Sequence, residues 1–199
     1  MDHVTEPAGG NLTTDRLVLG SWDDAATDGL FRLSNDPEVM RHFPGMPNRE
    51  LIEEMTRRHR DNLATGRPGL YAVRLRDTSR FIGFVGLAVP GFEAPFTPCV
   101  EIGWRLKRAA WGHGYATEAA ERVLAHGFDT LQLDEVVSFT TVANLPSQAV
   151  MRRIGMHTDP AEDFDHPNVP EGDPARRHVL YRLSAEAWRR ARSKGRPEV

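Results

Sequence analysis

The stretch 101–118, EIGWRLKRAAWGHGYATE, constrains the fold more than any other part of the chain. Residues 99–106 read as a strand, Gly112 and Gly114 punctuate a short loop, and 115–128 read as a helix. Ala116, Ala119, Ala120, Val123 and Leu124 give that helix one apolar stripe of good helix formers. Such a glycine loop can turn successive backbone N–H groups into one concavity. The helix start adds unpaired donors and the positive end of the macrodipole. Together these suit a phosphate or pyrophosphate. The plainer reading is a loop and a helix start with no ligand. No G-K-[ST] follows the glycines, which excludes a Walker A loop, and the third glycine of a dinucleotide fingerprint is missing.

Elements of both types flank this stretch. Residues 16–22 read as a short strand. Asp23 or Asp24 then caps a helix through Ala25, Leu30, Phe31 and Leu33, which Asn35, Asp36 and Pro37 end. Residues 39–47 hold two prolines and a glycine and read as a loop, and Asn48 caps a second helix over 49–65. Residues 70–75 and 81–89 make a hairpin across the turn 76–79, with Gly83 and Gly86 marking a bulge or a close backbone approach. A proline-bounded loop over 90–98 carries Phe92 and Phe96. Later come a strand over 134–142, a helix over 144–154 stopped by Gly155, a loop over 156–175, a strand over 178–183 and a short helix over 184–190. This order predicts a mixed α/β sheet, antiparallel where strands follow one another and parallel where a helix intervenes.

The chain has 199 residues, which fits one domain. It is expected over 14–190, between a flexible lead at 1–13 and a charged tail at 191–199. A net charge of −3 argues against a broad nucleic-acid surface. The single cysteine, Cys99, excludes an internal disulfide and a thiolate zinc cluster. His157, His166 and His178 match no zinc spacing, so no metal is expected. No apolar run reaches the ~18 residues of a membrane span. The N-terminus has no apolar h-region, so a cytoplasmic chain without membrane contact is expected.

Residues 108–119, RAAWGHGYATEA, resemble motif A of the GNAT superfamily of acyl-CoA-dependent N-acetyltransferases, [QR]-x-x-G-x-[GA]. Gly112 and Gly114 match. The [QR] position falls on Ala109, with Arg108 one place earlier, a departure that weakens a side-chain contact but not the backbone cradle. Residues 141–156, TVANLPSQAVMRRIGM, resemble motif B, a strand, N-x-x-S, a helix and G-[FM]. The T-x-R-L-x-L start at 14–19 and the final strand and helix with Trp188 fit the same family, and the W-G-x-G-Y-A-T-E-A wording is similar to its RimJ/RimL-like branch. The resemblance implies a mixed, mostly antiparallel seven-stranded sheet with helices on both faces. It implies acetyl-CoA as co-substrate and direct acetyl transfer to a primary amine, on a small molecule or a protein N-terminus. Dimers occur in the family.

The resemblance also implies roles. Trp104, Arg105 and Leu106 end a strand that offers its backbone to the pantetheine. The loop and helix start from Arg108 to Ala116 take the pyrophosphate through Ala109, Trp111, Gly112, His113, Gly114 and Tyr115. Arg108 reads equally as a surface charge, and Trp111 as a cover for the helix start. Asn144 reaches the cofactor, caps its helix, or does both. Ser147 protonates the leaving thiolate or caps locally. Glu101 lies on the strand face opposite Val100 and Ile102, where it is a general base or the ion-pair partner of Arg105. The acceptor pocket draws on His42 and Phe43 in the 39–47 loop, Phe92 and Tyr181, with Met40 and Phe96 nearby; core packing is the other reading of the aromatics. The carboxylates Glu162, Asp163, Asp165, Glu171 and Asp173 form an acidic rim or a solvated loop. The departure at Ala109 also leaves open a catalytically silent acyl-CoA-binding module.

Overall fold

The computed structural model describes residues 10–193. The elements run β1 (Leu12–Thr13), β2 (Leu17–Gly20), α1 (Asp24–Ser34), α2 (Pro37–Met40), α3 (Arg49–Ala64), β3 (Leu70–Leu75), β4 (Phe81–Ala88) and β5 (Glu101–Leu106). They continue with α4 (Tyr115–Ala125), β6 (Glu135–Thr141), α5 (Leu145–Arg153), β7 (His157–Thr158), β8 (Phe164–Asp165), β9 (Arg177–Ser184) and α6 (Ala185–Ser193). The helix starts follow local chemistry. Asp23 accepts from the Ala26 N–H and Asn48 from the Leu51 N–H, each a side-chain cap on an otherwise unpaired donor.

The strands form one sheet in the order β1-β2-β3-β4-β5-β6-β9-β7, with β8 also on β9. Every pairing is antiparallel except β5 with β6. On one face α4, α5 and α6 bury Ala119, Val123, Leu124, Met151 and Trp188 against Leu19, Val73, Val85 and Ile102. On the other face Ala26 and Leu30 of α1 and Ile52 of α3 pack on Leu70, Ala72 and Phe84. A third cluster joins Val137, Phe164 and Leu180 to Phe92, Phe96 and Phe139. Alternation along each strand distributes these sets, since successive side chains point to opposite faces.

The mixed, mostly antiparallel sheet is as expected, but nine strands stand where seven were implied. The six strands read from the pattern are present, and three two-residue strands join them. Leu12 and Thr13, expected in a flexible lead, pair with β2, and Leu12 is buried. Residues 1–9 and 194–199 lie outside the described residues, while 191–193, expected in the tail, extend α6. Pro37 does not simply end α1. It starts α2 behind an Asp36 cap, because a first-turn proline loses no hydrogen bond. The α-helix expected to reach 128 ends at Ala125 and passes into a π-turn over His126–Thr130. The expected loop 156–175 lends β7 and β8 to β9.

The junction of β5 and β6 positions the site. On its other side, β5 pairs with β4 over its whole length, from Glu101↔Ala88 to Leu106↔Gly83. Gly83 permits the approach: a Cβ there would stand 2.1 Å from the Arg105 carbonyl oxygen. With β6, however, β5 shares one register pair, Glu101↔Val137. The Val137 N–H donates to Val100 O at 2.9 Å, and the Ser138 hydroxyl then donates to Ile102 O at 2.9 Å. Beyond that wedge the strands part.

Candidate active site

A cavity of about 1180 Å³ opens where β5 and β6 diverge. Its walls include Trp104, Arg105 and Leu106 of β5, the loop and first turn of α4, and Asn144 and Ser147 at the start of α5. His42 and Phe43, after α2, close another side.

The glycine loop has the geometry its sequence predicts. Gly112 and Gly114 adopt φ of +77° and +78°. That left-handed region is cheap for glycine and strained for other residues. A Cβ on Gly112 would meet nothing within 4 Å, so space does not demand glycine there; conformation does. The Ala110 and Trp111 N–H groups are bound to Lys107 and Arg108 carbonyls, but those of Gly112, His113 and Gly114 donate to no backbone carbonyl among the described residues. The first-turn donors of α4, at Tyr115, Ala116 and Thr117, have no intrahelical partner either. The result is a row of free donors at a helix N-terminus, and the diverging β5 edge beside it offers more. These features fit an extended molecule with amides along its length and a pyrophosphate at one end.

A clamp that was not foreseen holds this loop. Thr14 Oγ1 donates to Glu118 Oε1 at 2.5 Å, and Arg16 reaches Glu118 through its backbone N–H (3.1 Å) and Nε (2.7 Å). Arg16 Nη1 also donates to the His113 carbonyl at 3.0 Å, and the guanidinium lies 4.7 Å from the Tyr115 ring centre. Burial pushes the Glu118 carboxyl up, but the hydrogen bonds from Thr14 and Arg16 outweigh it and leave it below the ordinary range. Both partners sit in stretches already singled out, T-x-R-L and A-T-E-A, but no local signal connects positions 102 residues apart.

The remaining expected residues divide. Trp104, Arg105, Leu106, Trp111, Gly112, Gly114, Tyr115, Ala116, Asn144, Ser147, His42 and Phe43 line the cavity together. Trp111 is 41 % exposed and donates from Nε1 to Leu106 O, so it braces the loop against β5. Asn144 is engaged at both ends: Oδ1 accepts from the Ser147 N–H (3.3 Å) and Nδ2 donates to Thr140 Oγ1 (2.8 Å). His42 is held below its ordinary pKa by burial, then by Arg41, and its Nδ1 lies 3.4 Å from Thr141 Oγ1.

Arg108, Ala109 and His113 are exposed and lie outside the cavity lining; His113 contributes its carbonyl to the Arg16 clamp. Phe92, expected at the acceptor, is packed with Phe96, Phe139, Phe164 and His166 and does not line the cavity. Tyr181 is also corrected: it is buried in the α4-side core, accepting from Arg152 and donating to Gln148. Its register opposite Ser138 points it to that face. Glu101 faces away from Ile102 as expected but does not line the cavity, and it makes no ion pair among the described residues. Burial raises its carboxyl to about 7. The alternative pair with Arg105 is absent: that guanidinium donates to Ser34 Oγ instead.

The Acetyltransferase (GNAT) domain family model matches residues 16–157. The chain is 32% identical over 196 residues to the FsC-acetyl coenzyme A-N(2)-transacetylase of Aspergillus fumigatus, covering 94% of this chain and 81% of that protein. It resembles the crystal structure of an acetyltransferase from Agrobacterium tumefaciens str. C58 at a TM-score of 0.70 and 26% identity, over 92% of this chain and 99% of the other. In fold alone it also resembles RimL, a ribosomal L7/L12 alpha-N-protein acetyltransferase solved with coenzyme A. That match has a TM-score of 0.71 and 15% identity, over 89% of this chain and 99% of the other. The diverging strand pair, the glycine loop and the sequence matches agree: the chain belongs to the GNAT acetyltransferase family.

Proposed function

We propose that this protein transfers the acetyl group of acetyl-CoA to a primary amine by direct attack, the acceptor being a small-molecule amine or a protein N-terminus. The observation that carries this reading is one cavity shared by the open β5 edge, the free donors around Gly112 and Gly114, and Ser147. Acetyl-CoA supplies an activated thioester. The amine nitrogen bonds to the acetyl carbonyl carbon, the carbon–sulfur bond breaks, the amine sheds a proton and the sulfur gains one.

The chain's own groups match those needs. The Gly112–Thr117 donors hold the phosphates, and Trp104 to Leu106 present backbone to the pantetheine. Ser147 Oγ makes no hydrogen bond among the described residues and is held at the cavity wall, where it can donate to the leaving sulfur. Glu101 takes the amine proton through water. Its carboxyl, raised to about 7, is well matched to a base working near neutral pH. The named activity of the Aspergillus relative and of RimL supports acetyl transfer to nitrogen.

Thiol release from acetyl-CoA across N-terminal peptides, polyamines, aminoglycosides and aryl amines tests the reading. Turnover of one class, lost in Gly112→Trp with loss of CoA binding, is the expected result. Binding without turnover of any amine overturns it in favour of a silent acyl-CoA-binding module, and absence of binding overturns both.

A further inference from the structure

Among the described residues, Arg105 is a cation without a counterion. Its side chain lies on the α1 side of the sheet, 4.0 Å from the Phe43 ring centre and 5.5 Å from that of Phe84. Among the described residues its one hydrogen bond runs from Nη1 to Ser34 Oγ at 3.2 Å, and its Nε is buried with no partner. No carboxylate pairs with it among the described residues. The acids near the cavity are already committed or misplaced. Arg41 holds Glu38, Arg16 holds Glu118, and Glu121 stands on α4, across the sheet. A guanidinium taken out of water with so little compensation is costly to keep, and folding offers no return for it. Burial lowers its pKa to about 10, the same imbalance seen from another side.

The surroundings define what would complete it. Phe43 and Phe84 pack against the guanidinium, and its unpaired N–H donors match the two oxygens of a carboxylate. Next along the same strand face is Gly103, where a Cβ would meet nothing within 4 Å, and beyond it Glu101. The pyrophosphate donors lie instead at the N-terminus of α4, on the opposite face. Phe43 is 38 % exposed at the cavity wall, so the guanidinium is reachable from the cavity.

Resting on the acetyltransferase reading, we propose that Arg105 receives a carboxylate of the acceptor, and that the preferred acceptors are amines carrying a carboxylate. The amine lies over Gly103 towards Glu101, with its acid group towards Arg105.

The test is acetyl transfer to ω-amino acids of two to six carbons and to short peptides, each beside its primary amide. The wild type should favour the acid by roughly 10–100-fold in kcat/KM, the range for a charged hydrogen bond. In Arg105→Gln that ratio should fall to about one through the KM of the acid, and Arg105→Lys should keep part of it. A wild-type ratio of one or less overturns the proposal. So does an Arg105→Gln variant that keeps the ratio and loses CoA affinity instead, which assigns the guanidinium to the cofactor. If the wild type binds no CoA, the acetyltransferase reading fails separately. The Arg105 Nε–H resonance, assigned by its loss in Arg105→Lys, still decides: a shift on titrating the amino acids and none with their amides supports the carboxylate site, and no shift sinks it.

Discussion

Glu101 shows how much one residue's environment decides. Burial raises its carboxyl from 4.5 to about 7, so between those values the folded chain holds a proton that the unfolded chain has released. Stability therefore falls as pH rises through that window. Glu101→Gln should abolish this slope: between about pH 4.5 and 7 the wild type loses Tm relative to the variant, and above that the difference levels off. A difference in Tm that stays constant with pH would contradict the shift. Gly112 makes a second residue-level prediction. At φ +77° any side chain is strained, by about 1–2 kcal/mol, so Gly112→Ala should lower Tm by roughly 2–8 °C. Because Gly112 lines the cavity and the strain would shift the loop donors, CoA affinity should fall too, read by titration calorimetry.

At the scale of elements, the start of α5 and the parting of β5 from β6 are built by side chains that replace backbone pairing. Ser138 donates to Ile102 O where a ladder bond would otherwise continue. Asn144 ties the first turn of α5 to Thr140 on β6. Its two readings, cap and cofactor contact, are separable. Asn144→Ala should cost about 1 kcal/mol, or roughly 2–4 °C in Tm, and weaken CoA binding. Asn144→Ser retains a good cap, and both Tm and CoA affinity are expected to recover with it. Recovery of Tm without recovery of affinity would mean that the carboxamide touches the cofactor directly.

For the molecule as a whole, the tie between the β1–β2 turn and α4 matters most. Thr14 and Arg16 converge on Glu118 across more than a hundred residues of sequence, and Arg16 also grips the loop at His113 O. An exposed ion pair alone is worth little. Here several donors share one carboxylate, and the loop they hold is the one proposed to take the phosphates. An Arg16→Ala/Glu118→Ala double-mutant cycle in chemical denaturation should show a coupling of about 0.5–3 kcal/mol. Each single variant should also bind CoA more weakly. Additive effects would reduce the clamp to a surface contact. Because the Glu118 carboxyl sits below its ordinary range, the contribution should fade as pH falls through that range.

What the sequence determined alone is local. The strand–glycine loop–helix unit at 101–118, a cap at Asp23 or Asp24, the cap at Asn48, and the six longer strands follow from spacing, turn residues and periodicity within a few residues of each other. The tertiary structure decided whatever depends on which face meets which. Phe92 and Tyr181 were legible as aromatics, with pocket and core both open as readings, and the structure seats them in the core. Only the strand register turns Tyr181 towards α5, and only the folded loop seats Phe92 among Phe139, Phe164 and His166. Glu101 and Arg105 share a face by parity, yet parity does not say whether they meet. The fold keeps them apart and leaves Arg105 between two phenyl rings, because long-range contacts are fixed by packing that no local pattern encodes.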